Sequence, residues 1–331
     1  MQNLTPANSS APAAGGVRRG TASSALAAYG PTYGALAALV LLVVFNALFT
    51  PNFATASNLW NVLLQVSTTV LVAVGMTLVI ATGGIDLSVG SVMAIASALA
   101  AINLGRGAGI AVLLALAVAF AVGALNGALI SGFRIQPIIV TLAVLIAGRG
   151  VAQVISHGGQ LIPFDNPTFE VLGRAHVGPV PVQVLIMLLV VALAVFVMRA
   201  TSFGRYVVAV GGNEAAARLA GIKVHRTKIA VYALSGLLAG LAGLIETARL
   251  GASDAAKVGF NIELDAIAAV VVGGTALTGG RATIVGTLVG ALIMQVITTS
   301  FNMLLIPFAW SLVLKAAIIL IAVYVQRPKV A

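Results

Sequence analysis

Three stretches of the chain combine residue types and spacings that suit chemistry or the transmission of force. In the first, Gly211-Gly212-Asn213-Glu214-Ala215-Ala216-Ala217-Arg218-Leu219-Ala220-Gly221-Ile222, a polar start precedes a short run of helix formers and a glycine stop. Asn213 is a side chain able to cap free backbone N–H groups, and Glu214 in the first turn complements the helix dipole. A short capped helix of this kind suits docking in a groove of another protein. It equally suits a basic loop that anchors two neighbouring helices, and the pattern alone allows both.

In the second stretch, Thr82-Gly83-Gly84-Ile85-Asp86-Leu87-Ser88-Val89-Gly90-Ser91, one apolar run ends in a glycine pair and Asp86 opens the next. Asp86 is placed as an N-cap for the amides of Ser88 or Val89. A helix interrupted inside a membrane also presents its terminus to a translocation path, so a substrate or gating contact is compatible with the capping role. The third stretch, Gly273-Gly274-Thr275-Ala276-Leu277-Thr278-Gly279-Gly280-Arg281, has the glycines of a phosphate loop but not the Lys-Ser/Thr that must follow them, so no nucleotide is expected here. Its Gly279-Gly280 and Gly286 repeat the spacing of Gly83-Gly84 and Gly90, which points to paired helix breaks near the cytoplasmic end of a path. Gly83, Gly84, Asp86, Ser88, Gly90, Gly279 and Gly280 are therefore the candidate path residues.

Catalysis finds little support. The chain has no cysteine, and its three histidines, His157, His176 and His225, are scattered, so neither a thiol nucleophile nor a zinc site is expected. No Ser/His/Asp, His/Glu or paired-Asp constellation falls within the apolar runs. No catalytic residue, metal or cofactor is expected on this chain.

The elements that must position these stretches follow from composition. Of 331 residues 60% are hydrophobic and 8% charged, with 18 Lys+Arg, 8 Asp+Glu and a net charge of +10. A soluble domain of this size would carry about 80 charged groups. No charge occurs between Arg19 and Asp86. These features exclude a soluble globular protein and predict an all-α polytopic membrane protein of about ten transmembrane helices. The spans are expected near Tyr29 to Phe49, Trp60 to Thr82, Leu87 to Leu104, Ala108 to Ser131, Ile135 to Ile155, Pro181 to Met198, Lys228 to Thr247, Leu264 to Leu277, Thr283 to Phe301 and Pro307 to Val325. Those from Leu87 and Leu264 are short and glycine-interrupted, which is tolerated only where protein or a cavity covers the backbone. A barrel is excluded by run length and by the lack of alternation.

Residues 1–27, rich in Ala, Ser, Gly and Pro, read as a flexible cytoplasmic tail, residues 28–327 as the membrane domain with a loop at 201–227, and residues 328–331 as a cytoplasmic end. Arg18-Arg19 resembles a twin-arginine signal, but the long apolar run after it without a small-residue cleavage site favours a retained helix. With both termini in the cytoplasm, Arg18, Arg19, Arg134, Arg199, Arg205, Arg218, Lys223, Arg226, Lys228, Arg281, Arg327 and Lys329 fall on the inner side. Only Arg106, Arg174, Arg249 and Lys257 fall outside, as the positive-inside rule requires. Asp165, Glu170, Asp254, Glu263 and, at the edge of its span, Asp265 are expected to collect on the outer side. Nucleic-acid binding, the usual thought for a basic chain, lacks a soluble basic face.

Within the spans, Asn61, Gln65, Thr68, Asn126, Thr141, Gln153, Gln295, Thr298 and Asn302 suit either packing between helices or the passage of a neutral polyhydroxylated solute. Arg149 is expected to snorkel outward, Lys315 to pack or pair, and Glu246 and Arg249, three apart, to form a local ion pair.

The string GGNEAAARLAGI resembles the EAA loop of the membrane subunits of ATP-binding-cassette importers, in the version found in permeases for ribose, xylose, arabinose, galactofuranose and related sugars. GMTLVIATGGIDLSVGSVMAI (Gly75 to Ile95) and ELDAIAAVVVGGTALTGGRATIVGTLVGALI (Glu263 to Ile293) resemble the same family, in the same order. Between Glu-Ala-Ala and Gly, Ala217 to Ala220 make the loop one residue longer than the family's usual pattern, so docking geometry is not carried over from other branches. The resemblance implies an inner-membrane permease for a monosaccharide, working with a second permease copy or sister, a cytoplasmic ATPase subunit that holds ATP and Mg, a periplasmic sugar-binding protein and membrane lipid. It also makes Gly211, Gly212, Asn213, Glu214, Ala215, Ala216, Arg218, Gly221 and Ile222 the expected ATPase-coupling element. A branched-chain amino-acid permease of the same superfamily and an ion-coupled secondary transporter are the rival readings. The near absence of acids in mid-span argues against the latter.

Overall fold

The computed structural model describes residues 22–326; the expected tail up to residue 21 and the expected end at 328–331 lie outside the described residues. The chain divides between Gly30 and Pro31. The first unit contributes the opening turns of α1, and the packing below is that of the second. In chain order the helices are α1 (Ala22–Phe49), α2 (Ala56–Ala81), α3 (Val89–Asn103), α4 (Ala108–Phe133), α5 (Pro137–Ile155), α6 (Pro167–Arg174) and α7 (Val182–Ala200). They continue with α8 (Ser202–Gly212), α9 (Glu214–Leu219), α10 (Val224–Leu250), α11 (Ile262–Val272), α12 (Ile284–Met303) and α13 (Phe308–Gln326).

Each of the ten expected spans has its helix. Among the described residues eight helices are long and apolar enough to cross a membrane, and Ala309–Tyr324 within α13 is a shorter apolar stretch. The exception is α11, whose 11 residues rise only about 16 Å, roughly half of a hydrocarbon core. Helix is forced on the apolar runs because a bilayer offers backbone groups no partner outside the chain. Local signals set the ends: the hydroxyl of Thr55 accepts from the amide of Asn58 at the start of α2, Pro137 opens α5, and Gly251 at φ +73° closes α10.

The core is built around α10, which packs on α4, α2, α3 and α6. Residues Ala111, Ala115, Ala119, Gly123 and Gly127 form one buried stripe of small side chains along α4. A Cβ on Gly127 would lie 2.6 Å from the Cα of Ile229, and one on Gly243 2.9 Å from the Cα of Met93. In lipid, such close backbone approach is the main source of helix association, since burying Leu against Leu gains little over burying it against acyl chains. The outer faces of α1, α4, α5 and α7 are apolar and exposed, with Leu41, Leu113, Ile146 and Leu189 among them, as suits contact with lipid.

The segment between α5 and α7, expected as a plain outer loop, carries local order of its own. It holds α6, the antiparallel pair β2 (His176–Val177) with β3 (Val180–Pro181), and β1 (Ile162–Pro163), which pairs antiparallel with β4 (Ala252–Ser253) after α10. Phe169 of α6 is buried, and Gly173 lies against the backbone of Ala248 and Arg249.

Two expectations about charges are corrected. Arg149 does not snorkel: its guanidinium turns inward and donates to the carbonyls of Ala255 (3.2 Å), Val258 (2.7 Å) and Gly259 (2.6 Å), because the segment after α10 folds back and offers free carbonyls there. Glu246 and Arg249 do not come within 4 Å as an ion pair, although the Arg249 charge still acts on the carboxylate, and the carbonyl of Arg249 accepts from Arg174. Lys315 pairs, reaching Asp265 at 3.1 Å across α13 and α11.

The α4–α10 seam predicts a contrast in stability. Gly127→Val should overpack the seam at a cost of about 1–3 kcal/mol, read as a lower unfolding temperature of the detergent-solubilised protein. Gly109→Ala, where a Cβ meets nothing within 4 Å, should leave that temperature unchanged or higher. Equal effects of the two substitutions would show that the seam is not tightly packed.

Candidate functional site

The stretch 211–222 forms one unit at the junction of α8 and α10. Asn213 is extended (φ −159°) and its Oδ1 accepts from the amide of Ala216 at 2.9 Å, the cap expected from its position. At the other end Gly221 sits at φ +80°; its amide donates to Arg218 O (3.1 Å) and that of Ile222 to Ala217 O (3.0 Å). This is a Schellman closure, in which only a residue without Cβ takes the left-handed position at no cost. Ala217 is buried against Val210, Ile222 and Val224, so one face of α9 is tacked onto the body.

Glu214 supplies the second attachment. Its carboxylate receives Lys228 Nζ at 2.6 Å and Arg218 at 3.1 Å, tying α9 to the first turns of α10. The hydrogen bond from Lys228 holds the Glu214 carboxyl below its usual range, against a smaller opposing effect of partial burial. What remains outward is Gly212, Ala215, Ala216, Arg218 and, above all, Leu219, which is 91% exposed. Beside α9 a recess of about 540 Å³ is lined by Phe203, Tyr206, Ile222, Lys223, Arg226 and Thr227. A rigid six-residue helix fixed at both ends, with a bare leucine at its tip, has the form of a docking element.

The candidate path residues divide into two groups. Gly279 and Gly280 lie against the end of α8, and Gly83 lies against Gly279. Gly84, Asp86, Ser88 and Gly90 lie on the far side of the first break, along α10 and toward α5. Asp86 is 1% exposed. Its Oδ1 accepts from the amide of Ser88 (3.0 Å) and from the Ser88 hydroxyl (2.6 Å), and its Oδ2 accepts from the hydroxyl of Ser235 in α10 (2.9 Å). Asn126 of α4 in turn donates to Ser88 Oγ at 2.8 Å. The bond expected from the Ser88 amide to Asp86 is present, but it closes a turn ahead of α3, whose N-cap is Ser88 without a side-chain cap; the carboxylate ties the break to α10, and Ser88 ties it to α4. Gly84 faces the buried hydroxyl of Tyr232, and Gly90 faces Gly259, Glu263 and Arg149.

The second break, between α11 and α12, is closed by threonines. The amide of Thr283 donates to Thr275 Oγ1 at 3.1 Å, and the two hydroxyls lie 2.7 Å apart. Of the polar residues in the spans, Gln295 of α12 donates to Gln65 of α2 at 2.9 Å, and Thr141 hydrogen-bonds the carbonyl of Ile85 at 3.2 Å. Sequence reasoning missed Ser235 and Tyr232 as partners of the first break; their three-residue spacing on α10 puts them on one face, which is the sole local signal. Among the described residues no cluster of His, Asp and Glu could hold a metal ion.

Long apolar helices, two interior breaks and a capped surface helix define a polytopic permease. The family described as branched-chain amino acid transport system / permease component matches residues 58–323, and the chain belongs to it. The chain is 44% identical over 299 residues to the ribose import permease protein RbsC of Escherichia coli (strain K12), covering 89% of this chain and 93% of that one. It is 41% identical over 294 residues to RbsC of Bacillus subtilis (strain 168), 88% and 91% of the two chains. To the galactofuranose transporter permease protein YtfT of Escherichia coli (strain K12) it is 39% identical over 310 residues, 89% of each. No solved structure matches it. The chain is thus a multi-pass inner-membrane transport subunit, not an enzyme.

Glu214 steadies α9 only while ionised, which gives a pH dependence of definite sign. Because its folded-state carboxyl is held low, the contribution is complete above the unfolded value of about 4.3 and is lost as pH falls through the lowered folded value. The chain has no native cysteine, so a spin label on Leu219→Cys reports α9 alone. Its mobility should stay constant from neutral pH down to about pH 5 and rise only in stronger acid, while Lys228→Met should raise it already at neutral pH. A midpoint at or above about pH 6 would show that some other group holds the helix.

Proposed function

We propose that this permease translocates a monosaccharide, with ribose or a related sugar as the first candidate, in an ATP-driven importer fed by a periplasmic binding protein. The observation that carries the substrate class is the naming of relatives that match along nearly the whole chain: they are ribose and galactofuranose permeases. In this reading α9 docks in a groove of a separate cytoplasmic ATPase subunit, with Leu219 and the Ala215–Ala216 face as the contact. ATP and Mg²⁺ belong to that subunit, and this chain holds no cofactor. Two permease copies, or this chain and a sister, pair with two ATPase subunits, within membrane lipid.

The orientation that serves this arrangement places both termini and the 201–227 loop in the cytoplasm. The twelve-to-four division of basic residues supports it. Closure of the ATPase dimer on ATP then displaces α9 and rocks the membrane helices between outward and inward access. Differential contacts in the two states supply the coupling energy. Selectivity rests largely with the binding protein, so the path needs only weak, uncharged hydrogen-bonding groups such as Gln65, Gln295 and Thr298.

The family's description supports one second reading, transport of branched-chain amino acids. Uptake of labelled ribose, xylose, arabinose, galactofuranose and leucine by a deletion strain carrying this chain and its ATPase separates the two. A sugar should accumulate, with loss of uptake when the ATPase is inactivated and not when the proton gradient is collapsed. Ala217→Glu, which plants a charge under α9, should release the ATPase and abolish uptake, whereas Glu214→Gln should weaken it by a few-fold, since a half-exposed ion pair contributes about 1 kcal/mol or less. Leucine as the accumulated solute, or full uptake with α9 disrupted, would overturn the reading.

A further inference from the structure

Three segments far apart in the chain meet backbone to backbone at the end of α8. The amide of Gly280, in the break between α11 and α12, donates to the carbonyl of Ala81, the last residue of α2, at 3.0 Å. Gly211 of α8 lies on the same spot: a Cβ there would overlap the Ala81 carbonyl oxygen and stand 2.6 Å from Gly280 N. A Cβ on Gly279 would stand 2.9 Å from Gly83 N and 3.0 Å from Gly211 O, and one on Gly280 3.0 Å from Gly212 Cα. Gly83, Gly279 and Gly280 adopt φ of +81°, +83° and +77°, a region that side chains disfavour. At these glycines backbone meets backbone directly, beside the buried Val207 of α8, which packs in one cluster with Ala81 and Ile284.

This matters mechanically. Where side chains mediate a contact, a displacement of an ångström is absorbed by small changes of rotamer, and little is passed on. Backbone packed on backbone, with a hydrogen bond across it, has no such slack. On one side of the contact is the α8–α9 unit, stiffened by the Asn213 cap and the Glu214–Lys228 pair. On the other are the two breaks, one leading through Gly84 to the Asp86 clamp on α10 and α4, the other through Thr283 into α12.

We propose that Gly83, Gly211 and Gly279–Gly280 form a transmission joint that delivers a displacement of α9 to both helix breaks at once. The glycines are positioning residues for transport, required because the joint has room for backbone only. The inference rests on the reading of α9 as the ATPase-docking helix and adds the route beyond it.

The test uses the complete importer in membrane vesicles: permease, ATPase and binding protein. Gly211→Ala should keep the ATPase bound and hydrolysing ATP, with the binding protein still captured, while uptake falls by about tenfold. That uncoupled signature separates a joint from a merely structural glycine, whose loss would lower protein yield, ATPase binding and uptake together. Uptake near the unmodified level in Gly211→Ala, or a parallel fall of all three, would overturn the joint. Failure of the docking reading looks different: Ala217→Glu would then keep both the ATPase and transport. A second measurement is independent of how Gly211→Ala folds. In this cysteine-free chain, spin labels on Gly212→Cys, where a Cβ meets nothing within 4 Å, and on Leu277→Cys, exposed in the second break, should keep one separation with and without ATP, because a joint that transmits must stay closed. A separation that changes on ATP binding would overturn the proposal.

Discussion

The rest of the structure depends on how two interrupted helices satisfy their backbone inside a bilayer. Each buried amide or carbonyl without a partner costs a few kcal/mol, and lipid supplies none. The break after α2 meets this requirement with a carboxylate: Asp86 takes the amide and hydroxyl of Ser88 and the hydroxyl of Ser235. The break after α11 meets it with Thr275 and Thr283. Where the chain turns back after α10, Arg149 collects three carbonyls. Once these groups are placed, much else follows. Asp86 needs Ser235 and so fixes the rotation of α10, and Arg149 fixes the height of α5 against the fold-back segment.

That constraint explains what was legible in the sequence. Features closed within a few residues could be read directly: the Asn213 cap, the Gly221 stop, and Asp86 accepting from the amide two residues on. All ten expected spans are helices because apolar length marks them, eight of them long and apolar enough to cross a membrane, and α11 was rightly read as short and glycine-interrupted. The partners of the breaks were not legible. Ser235 is 149 positions from Asp86, and Asn126 is 38 from Ser88; nothing local to either residue marks it as a ligand. Arg149 and the pair Glu246 and Arg249 were misread for the same reason. Snorkelling and three-residue pairing are local rules; for Arg149 the fold-back of residues 251–261 displaced the rule by bringing three carbonyls to the guanidinium.

Division of labour among the helices is also physical. The seam between α4 and α10 is made of small residues and admits no added methyl at Gly127, so the inner helices move as a block or not at all. The outer faces of α1, α4, α5 and α7 are apolar and exposed, and lipid against such faces would yield. A machine that alternates between two states needs both kinds of surface: stiff contacts to carry displacement and compliant ones to accommodate it.

In the proposed reading the cargo is a neutral sugar with no charge to grip, and the spans carry uncharged polar groups such as Gln65 and Gln295. Work on the path must then enter from outside it. The entry point has to be rigid, exposed and joined to the breaks without slack, and α9 answers each demand: capped at Asn213, locked by Glu214 to Lys228, bare at Leu219, and continuous with the glycine contact at Gly211. Polar breaks that were merely buried would leave a static bundle. In the proposed reading, because the ends of both breaks touch α8 at Gly211 and Gly212, next in the chain to the exposed α9, the groups that stabilise the interrupted helices are those that a displacement of α9 would rearrange. The cost of breaking helices in a membrane is in this way turned into a handle on the path.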